Sequence, residues 1–316
     1  KIEDVEYLRH DDAPLLARLY RPQGAGPFPI MVELHGGAWC RQDRLADKLI
    51  HESLARTGVI VAVLDWRQPP VAPYPASFQD IHYGIRWLKA HATELGGRPD
   101  LVGSMGNSSG GHQAMLLAMR PFDPRYSALP LASAPALDAT VKCVIMTSPV
   151  IDPLGRYRYA KDLKAKGGAA PINPDEIIPC HDAYWKTEEA MDEGAPASAL
   201  ERGEKVQMPP VLYLQGTNDG AHPRPQLDRF VAAYRKAGGV VDLEPHRSRE
   251  TAQQRRHRRN RYVDEHKRLP LRGERKHARR MRRAFVVGEA QRQIAAIRAD
   301  QADGERNVEG RLVRLA

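Results

Sequence analysis

The stretch Gly106-Asn107-Ser108-Ser109-Gly110-Gly111-His112 has the residue types of a nucleophilic turn. It fits the pattern G-x-S-x-G. It lies between Leu101–Met105, which reads as a strand, and Gly110–Met119, which reads as a helix. A sharp strand-to-helix turn holds its serine in strained backbone geometry, and side chains at the flanking positions would clash, hence the glycines. Such a turn lifts the Ser108 hydroxyl clear of the chain and aims the next helix N-terminus at it. Acyl transfer also needs donors where the tetrahedral oxyanion forms, each worth about 3–4 kcal/mol. His35-Gly36-Gly37-Ala38-Trp39 follows the apolar Pro29–Leu34, and its tandem glycines let backbone amides approach a ligand oxygen closely. Gly36, Gly37 and the Ser109 amide are therefore the candidate oxyanion hole. Alone, each motif is equally a glycine-rich loop; the two together point to acyl transfer.

The elements that must position these residues alternate between strand and helix. Val5–Arg9 and Leu15–Tyr20 read as two early strands across the turn-forming His10-Asp11-Asp12. Val59–Leu64 is β-branched and wholly apolar, as a strand buried on both faces should be. Helical spacing runs through 43–56, 77–95 (stopping at Gly96-Gly97) and 226–236; further strands are expected at Val141–Thr147, Val211–Leu214 and Val240–Leu243. This alternation predicts an α/β fold: a mostly parallel central sheet with helices on both faces and active-site residues at the carboxyl ends of its strands. The interval 149–209 is too long for a simple crossover. It reads either as a small cap-like insertion or as a surface excursion with one or two helices.

With these motifs placed, the sequence resembles the α/β-hydrolase fold. The resemblance is to the HGG-type esterase/lipase branch related to hormone-sensitive lipase, with a Gly-Gly-His ending closer to feruloyl-esterase-like members. It runs from roughly residue 5 to residue 244 and includes a Pro-rich loop (Pro69, Pro70, Pro73, Pro75) followed by a helix with Asp80 and Trp87. The resemblance implies a serine carboxylesterase with an acyl-enzyme intermediate and a small-molecule ester substrate. In it Asp219, at the end of Pro209–Asp219, is the acid that orients the histidine. The family's histidine follows the strand matching Val240–Leu243, which makes His246 the nearest candidate base. His222, close to Asp219, reads as lying on the wrong side of it for that role. Trp39 and the 149–209 interval are expected to line the substrate pocket. The departures are Asn107 and Ser109 where the family carries an acidic residue and alanine. The alternative function is an α/β-hydrolase-fold interaction module with an impaired triad.

Charge divides the chain. Of the 316 residues, 1–245 carry 27 basic and 30 acidic side chains, whereas 246–316 carry 21 basic and 9 acidic, so the whole net charge of +9 arises in the last segment. Residues 1–245 are expected to form the hydrolase domain. The arginine-rich 246–316 admits three readings: a nucleic-acid-binding tail (the least favoured), a solvated extension, or a segment whose coding frame changed near Pro245. Ala284–Ile297 could be a closing helix. No apolar run approaches a membrane span, the three cysteines show no disulfide framework or metal spacing, and no dinucleotide or phosphate-loop pattern is present. No cofactor is indicated, and a cytoplasmic address is expected.

Overall fold

Ile60–Leu64 (β4) is five apolar residues in succession, all buried. A strand can bury both faces only if each is covered, and the sheet shows how. Ile60, Ala62 and Leu64 join one core cluster, Val61 and Val63 the other. Strand β3 (Phe28–Leu34) divides in the same way, Ile30, Val32 and Leu34 against Met31. This is the two-residue period of a strand acting on both sides of a sheet.

The computed structural model describes residues 1–246 except Ala169 and Asn218, and the side chains of Pro245 and His246 are not described. The sheet has eight strands. Strands β1 (Ile2–His10), β2 (Ala13–Tyr20) and β4 pair antiparallel. Strands β4, β3, β5 (Gly97–Asn107), β6 (Val144–Thr147), β7 (Val211–Gly216) and β8 (Val241–His246) then follow in parallel. The larger core packs beneath α2 (Ala76–Ala90), α3 (Ser109–Met119) and α8 (Arg224–Lys236); α1 (Lys48–Ala55) covers the other face. Register brings the functional loops together. Leu34 pairs with Gly106, Asn107 with Thr147, and Thr147 with Leu214, so the segments that follow β3, β5 and β7 leave from one edge.

The expected mostly parallel α/β sheet is present, and the differences are local. The helix expected over 43–56 begins only at Lys48. Asp43 folds back so that its carboxylate accepts from the Leu45 amide at 2.8 Å, the side-chain-to-backbone competition that keeps aspartate out of helix interiors. The helix expected over 77–95 stops at Ala90, and β5 starts at Gly97 rather than Leu101. Gly97 is thus the opening strand residue. A Cβ there would lie 2.7 Å from Ile30 Cδ1, so the glycine lets β5 approach β3.

The 149–209 interval holds four helices rather than one or two: α4 (Pro153–Lys166), α5 (Pro174–Trp185), α6 (Glu188–Glu193) and α7 (Pro196–Glu201). Three open with proline in the first turn, where its missing N–H costs nothing, and Asp152, Asn173 and Thr187 side chains cap α4, α5 and α6. Among the described residues no helix is long and apolar enough to cross a membrane. Beyond His246 the basic segment, with Ala284–Ile297, lies outside the described residues.

Helix α3 touches β3 and β5 through bare backbone. A Cβ on Gly110 would sit 1.9 Å from the Leu34 carbonyl oxygen, and one on Gly106 would sit 2.4 Å from the Gly110 carbonyl carbon. Gly110→Ala is therefore expected to destabilise the protein by about 3 kcal/mol or more, a fall in Tm on the order of 10 °C. An unchanged thermal melt would show that α3 does not need this approach.

Candidate functional site

Ser108 carries the geometry that its flanking glycines imply. Its φ is 54° and ψ is −118°, outside the helical and extended regions, at the junction of β5 and α3. Non-glycine residues persist there only when the surroundings over-determine them. Three backbone hydrogen bonds do so: the Ser108 amide donates to the Thr147 carbonyl at 3.0 Å, and the Ser108 carbonyl accepts from the Val150 amide at 2.9 Å and the His112 amide at 3.3 Å. Ser108 is thus tied to β6, to the chain after β6 and to its own helix. Asn107 donates to the Asp47 carboxylate at 3.2 Å, which holds the turn's shoulder against the start of α1.

The ring the structure brings to Ser108 is His222. Its Nε2 lies 3.4 Å from the Ser108 Oγ, and its Nδ1 lies 3.0 Å and 3.1 Å from the two Asp219 carboxylate oxygens. The loop after β7 makes this possible within four residues. Asp219 accepts from the backbone amides of Ala221 at 3.1 Å and His222 at 3.2 Å, a side-chain-capped turn that folds the histidine back over its own acid. Gln215, near the end of β7, donates to the His222 carbonyl at 2.7 Å and fixes the other side of the turn. His222 and Asp219 side chains are 13% and 12% exposed, enough for a small substrate to reach the pair.

The electrostatics suit a base. Burial alone would raise the Asp219 carboxyl, but hydrogen bonds from His222, Ser148 and Ala221 outweigh it and bring it down to about 2. Burial lowers His222; Asp219 opposes that, and the Arg156 cation adds to it. Arg156 is on α4, 4% exposed, with its Nε and Nη1 unpartnered. Tyr159, one turn further along α4, donates to the Gly220 carbonyl at 3.0 Å, so this face of α4 lies on the Asp219–His222 loop. Burial and the Arg156 cation thereby favour the neutral imidazole, and with Nδ1 turned to the acid its Nε2 faces the Ser108 hydroxyl.

The loop after β3 runs alongside. A Cβ on Gly36 would lie 3.3 Å from both the Asn107 carbonyl oxygen and Ser108 Cβ, so the bare backbone at 36 lies against the turn that carries Ser108. Gly37 has φ +108°, and a Cβ there would overlap the Arg41 carbonyl at 2.1 Å; its own carbonyl accepts from Cys40 at 3.1 Å, closing a tight turn. His35 is stacked on Trp66 at 3.8 Å and its Nδ1 donates to the Gly36 carbonyl at 2.8 Å, which braces the loop. Ser109 is the first residue of α3, where backbone amides have no partner within the helix.

Of the residues singled out from sequence, Ser108, Asp219, Gly36, Gly37 and Ser109 converge on this edge of the sheet. His246 ends β8, paired with Gly216, and its side chain is not described. The ordering argument against His222 does not hold: serine, acid and histidine still follow one another along the chain, with only two residues between the last two. The signal that could have found it is that spacing, Asp219-Gly220-Ala221-His222, an aspartate turn with a histidine at its end. Trp39 is not an open pocket wall. It is 1% exposed, stacked on Tyr184 at 5.4 Å and edge-on to His112, His181 and Trp185.

The BD-FAE family profile matches residues 18–233, more than half of the chain. The probable carboxylic ester hydrolase LipM of Mycobacterium tuberculosis is 33% identical over 126 residues, which is 39% of this chain and 29% of that protein. The esterase LipQ of the same organism is 23% identical over 214 residues, covering 67% of this chain and 47% of LipQ. The matches thus span between about a third and a half of the length of these relatives. Among solved structures, esterase LipW from Mycobacterium marinum superposes with a TM-score of 0.62 at 21% identity over 81% of this chain and 78% of that one. An inhibited esterase B from Lactobacillus rhamnosis gives 0.67 at 18% identity over 93% and 89%. At such identities the structures show the shared fold, and the profile match shows the family. The chain belongs to the BD-FAE family, and its fold is that of the α/β-hydrolases.

Proposed function

We propose that this protein is a serine hydrolase of small carboxylic esters, with Ser108 as nucleophile, His222 as base and Asp219 as the acid that orients it. The observation that carries the reading is the contact chain from Ser108 Oγ through His222 to Asp219 at the common edge of the sheet. His222 accepts the hydroxyl proton as Ser108 attacks the ester carbonyl. The resulting imidazolium is stabilised by the Asp219 carboxylate. The tetrahedral oxyanion is held by the amides of Gly36, Gly37 and Ser109. His222 then gives its proton to the departing alkoxide, and water, activated by the same imidazole, releases the acid from the acyl-enzyme. The 3.4 Å serine–histidine separation belongs to a site without substrate, where such contacts run long and tighten on binding. The names of the relatives as ester hydrolases support the same chemistry.

Two further assignments belong to this reading. The four-helix 149–209 insertion acts as a cap, since α4 and α5 both touch the catalytic loops. Trp39 contributes to substrate binding indirectly, by anchoring the loop that also carries Gly36 and Gly37 to rings on α3 and α5.

The base is tested by comparing two histidine variants on short p-nitrophenyl esters. His222→Ala and Ser108→Ala should each lower kcat on the order of 10⁴–10⁶-fold, and His246→Ala should leave kcat/KM within a few-fold. Loss in His246→Ala with activity retained in His222→Ala would transfer the base to residue 246. A phosphonate ester should form a covalent adduct on Ser108, and the absence of both adduct and turnover would identify a non-catalytic fold instead.

The pH profile gives an independent check. His222 acts only when neutral, so activity rises as pH climbs through its pKa. Arg156 adds to the lowering of that pKa, so Arg156→Met should move the acidic limb of kcat/KM to higher pH while the fold is retained. An unmoved limb would mean that the guanidinium is not felt at the imidazole.

A further inference from the structure

Cys40 and Cys180 are 140 residues apart in the chain and meet across the seam between the loop after β3 and helix α5. Cys40 Sγ donates to the Cys180 carbonyl at 3.3 Å, which sets the first sulfur against the residue that carries the second. The same two segments are joined by an ion pair from Arg41 to Glu176 at 2.6 Å. Both cysteines are half-buried, whereas Cys143 is 3% exposed in the core of the opposite face. A cysteine serving only as a small apolar filler has no need of a second thiol beside it. Two half-buried cysteines that meet residue against residue at a seam, on segments that an ion pair already holds together, are placed to exchange with an external disulfide.

We propose that Cys40 and Cys180 form a reversible disulfide that staples α5 to the loop carrying Gly36 and Gly37. The co-reactant is a low-molecular-weight disulfide of the glutathione class. Cys180 is the attacking sulfur: the neighbouring Cys40 thiol and the Arg41 cation favour its thiolate and lower it, while burial opposes them. Its thiolate attacks one sulfur of the external disulfide, forming a mixed disulfide and expelling one thiolate, which takes up a proton. Cys40 gives up its proton to solvent and attacks the Cys180 sulfur, expelling the second thiolate. The protein dithiol loses two electrons, and the external disulfide gains them as it becomes two thiols. The inference does not depend on the ester-hydrolase reading, because its readouts do not involve turnover.

The test incubates the reduced full-length chain with glutathione disulfide, blocks the remaining thiols under denaturing conditions and maps the peptides without reductant. The expected map joins the Cys40 and Cys180 peptides and leaves Cys143 blocked as a free thiol. Cys40→Ser should retain glutathione on Cys180, because the resolving thiol is gone. The linked protein should melt about 5–10 °C above the reduced form, a difference abolished by reductant and absent in Cys40→Ser. A wild-type chain that keeps glutathione on Cys180, or that retains three blockable thiols, would overturn the proposal. So would a linked chain that melts no higher than the reduced one.

Discussion

Strand β5 must become helix α3 within one residue, and much of the site follows from that constraint. A chain turning so abruptly crowds its own backbone, and only glycine at 106 and 110 lets the new helix settle against β5 and the Leu34 carbonyl. The cost falls on Ser108, left at φ 54°, and three backbone hydrogen bonds from separate parts of the fold hold it there. The parallel register of β3, β5, β6 and β7 then decides what surrounds the serine. Strands that end together deliver their loops together. The strain at Ser108 and the alignment of the strand ends are two sides of one arrangement, since the same β6 residue, Thr147, both receives the Ser108 amide and pairs with β7.

The acid and the histidine come from a single turn. Two side chains carried on different loops hold their spacing only as well as the two loops hold theirs. Here Asp219 accepts from the backbone of the loop that carries His222, so the carboxylate that orients the ring also folds the chain that presents it. Four hydrogen bonds on two oxygens explain why Asp219 stays ionised in a largely desolvated place, and that charge in turn offsets part of the burial penalty on the imidazole.

Much of this was legible in the residues. The apolar run 59–64, the alternation of strand and helix, and the glycine spacing around Ser108 follow from burial on two faces and from steric exclusion, both of which act locally and leave a mark on composition. What was not legible depended on competition between neighbours. Asp43 capturing the Leu45 amide delays α1, and Gly97 serves a strand although the preceding glycine ends a turn. The spacing Asp219-Gly220-Ala221-His222 hints at a turn, but the ring's direction is set by the His222 amide donating to Asp219 and by Gln215 donating to the His222 carbonyl. The four helices of the insertion were hidden for a different reason. They are short and proline-initiated, with apolar residues that face one another and the core instead of forming one continuous stripe.

Trp39 sits two residues beyond Gly37, yet its ring is enclosed by side chains from α3 and α5. An insertion fastened in this way is not a hinged lid. Swinging α5 clear would pull a tryptophan out of its cage and wet about 150–250 Å² of aromatic surface, a cost of about 4–6 kcal/mol before the partners on α5 are counted. A state that far uphill is occupied less than about one part in a thousand of the time. A molecule arriving at Ser108 therefore meets the four helices in place, with His222 and Asp219 still 13% and 12% exposed beside it.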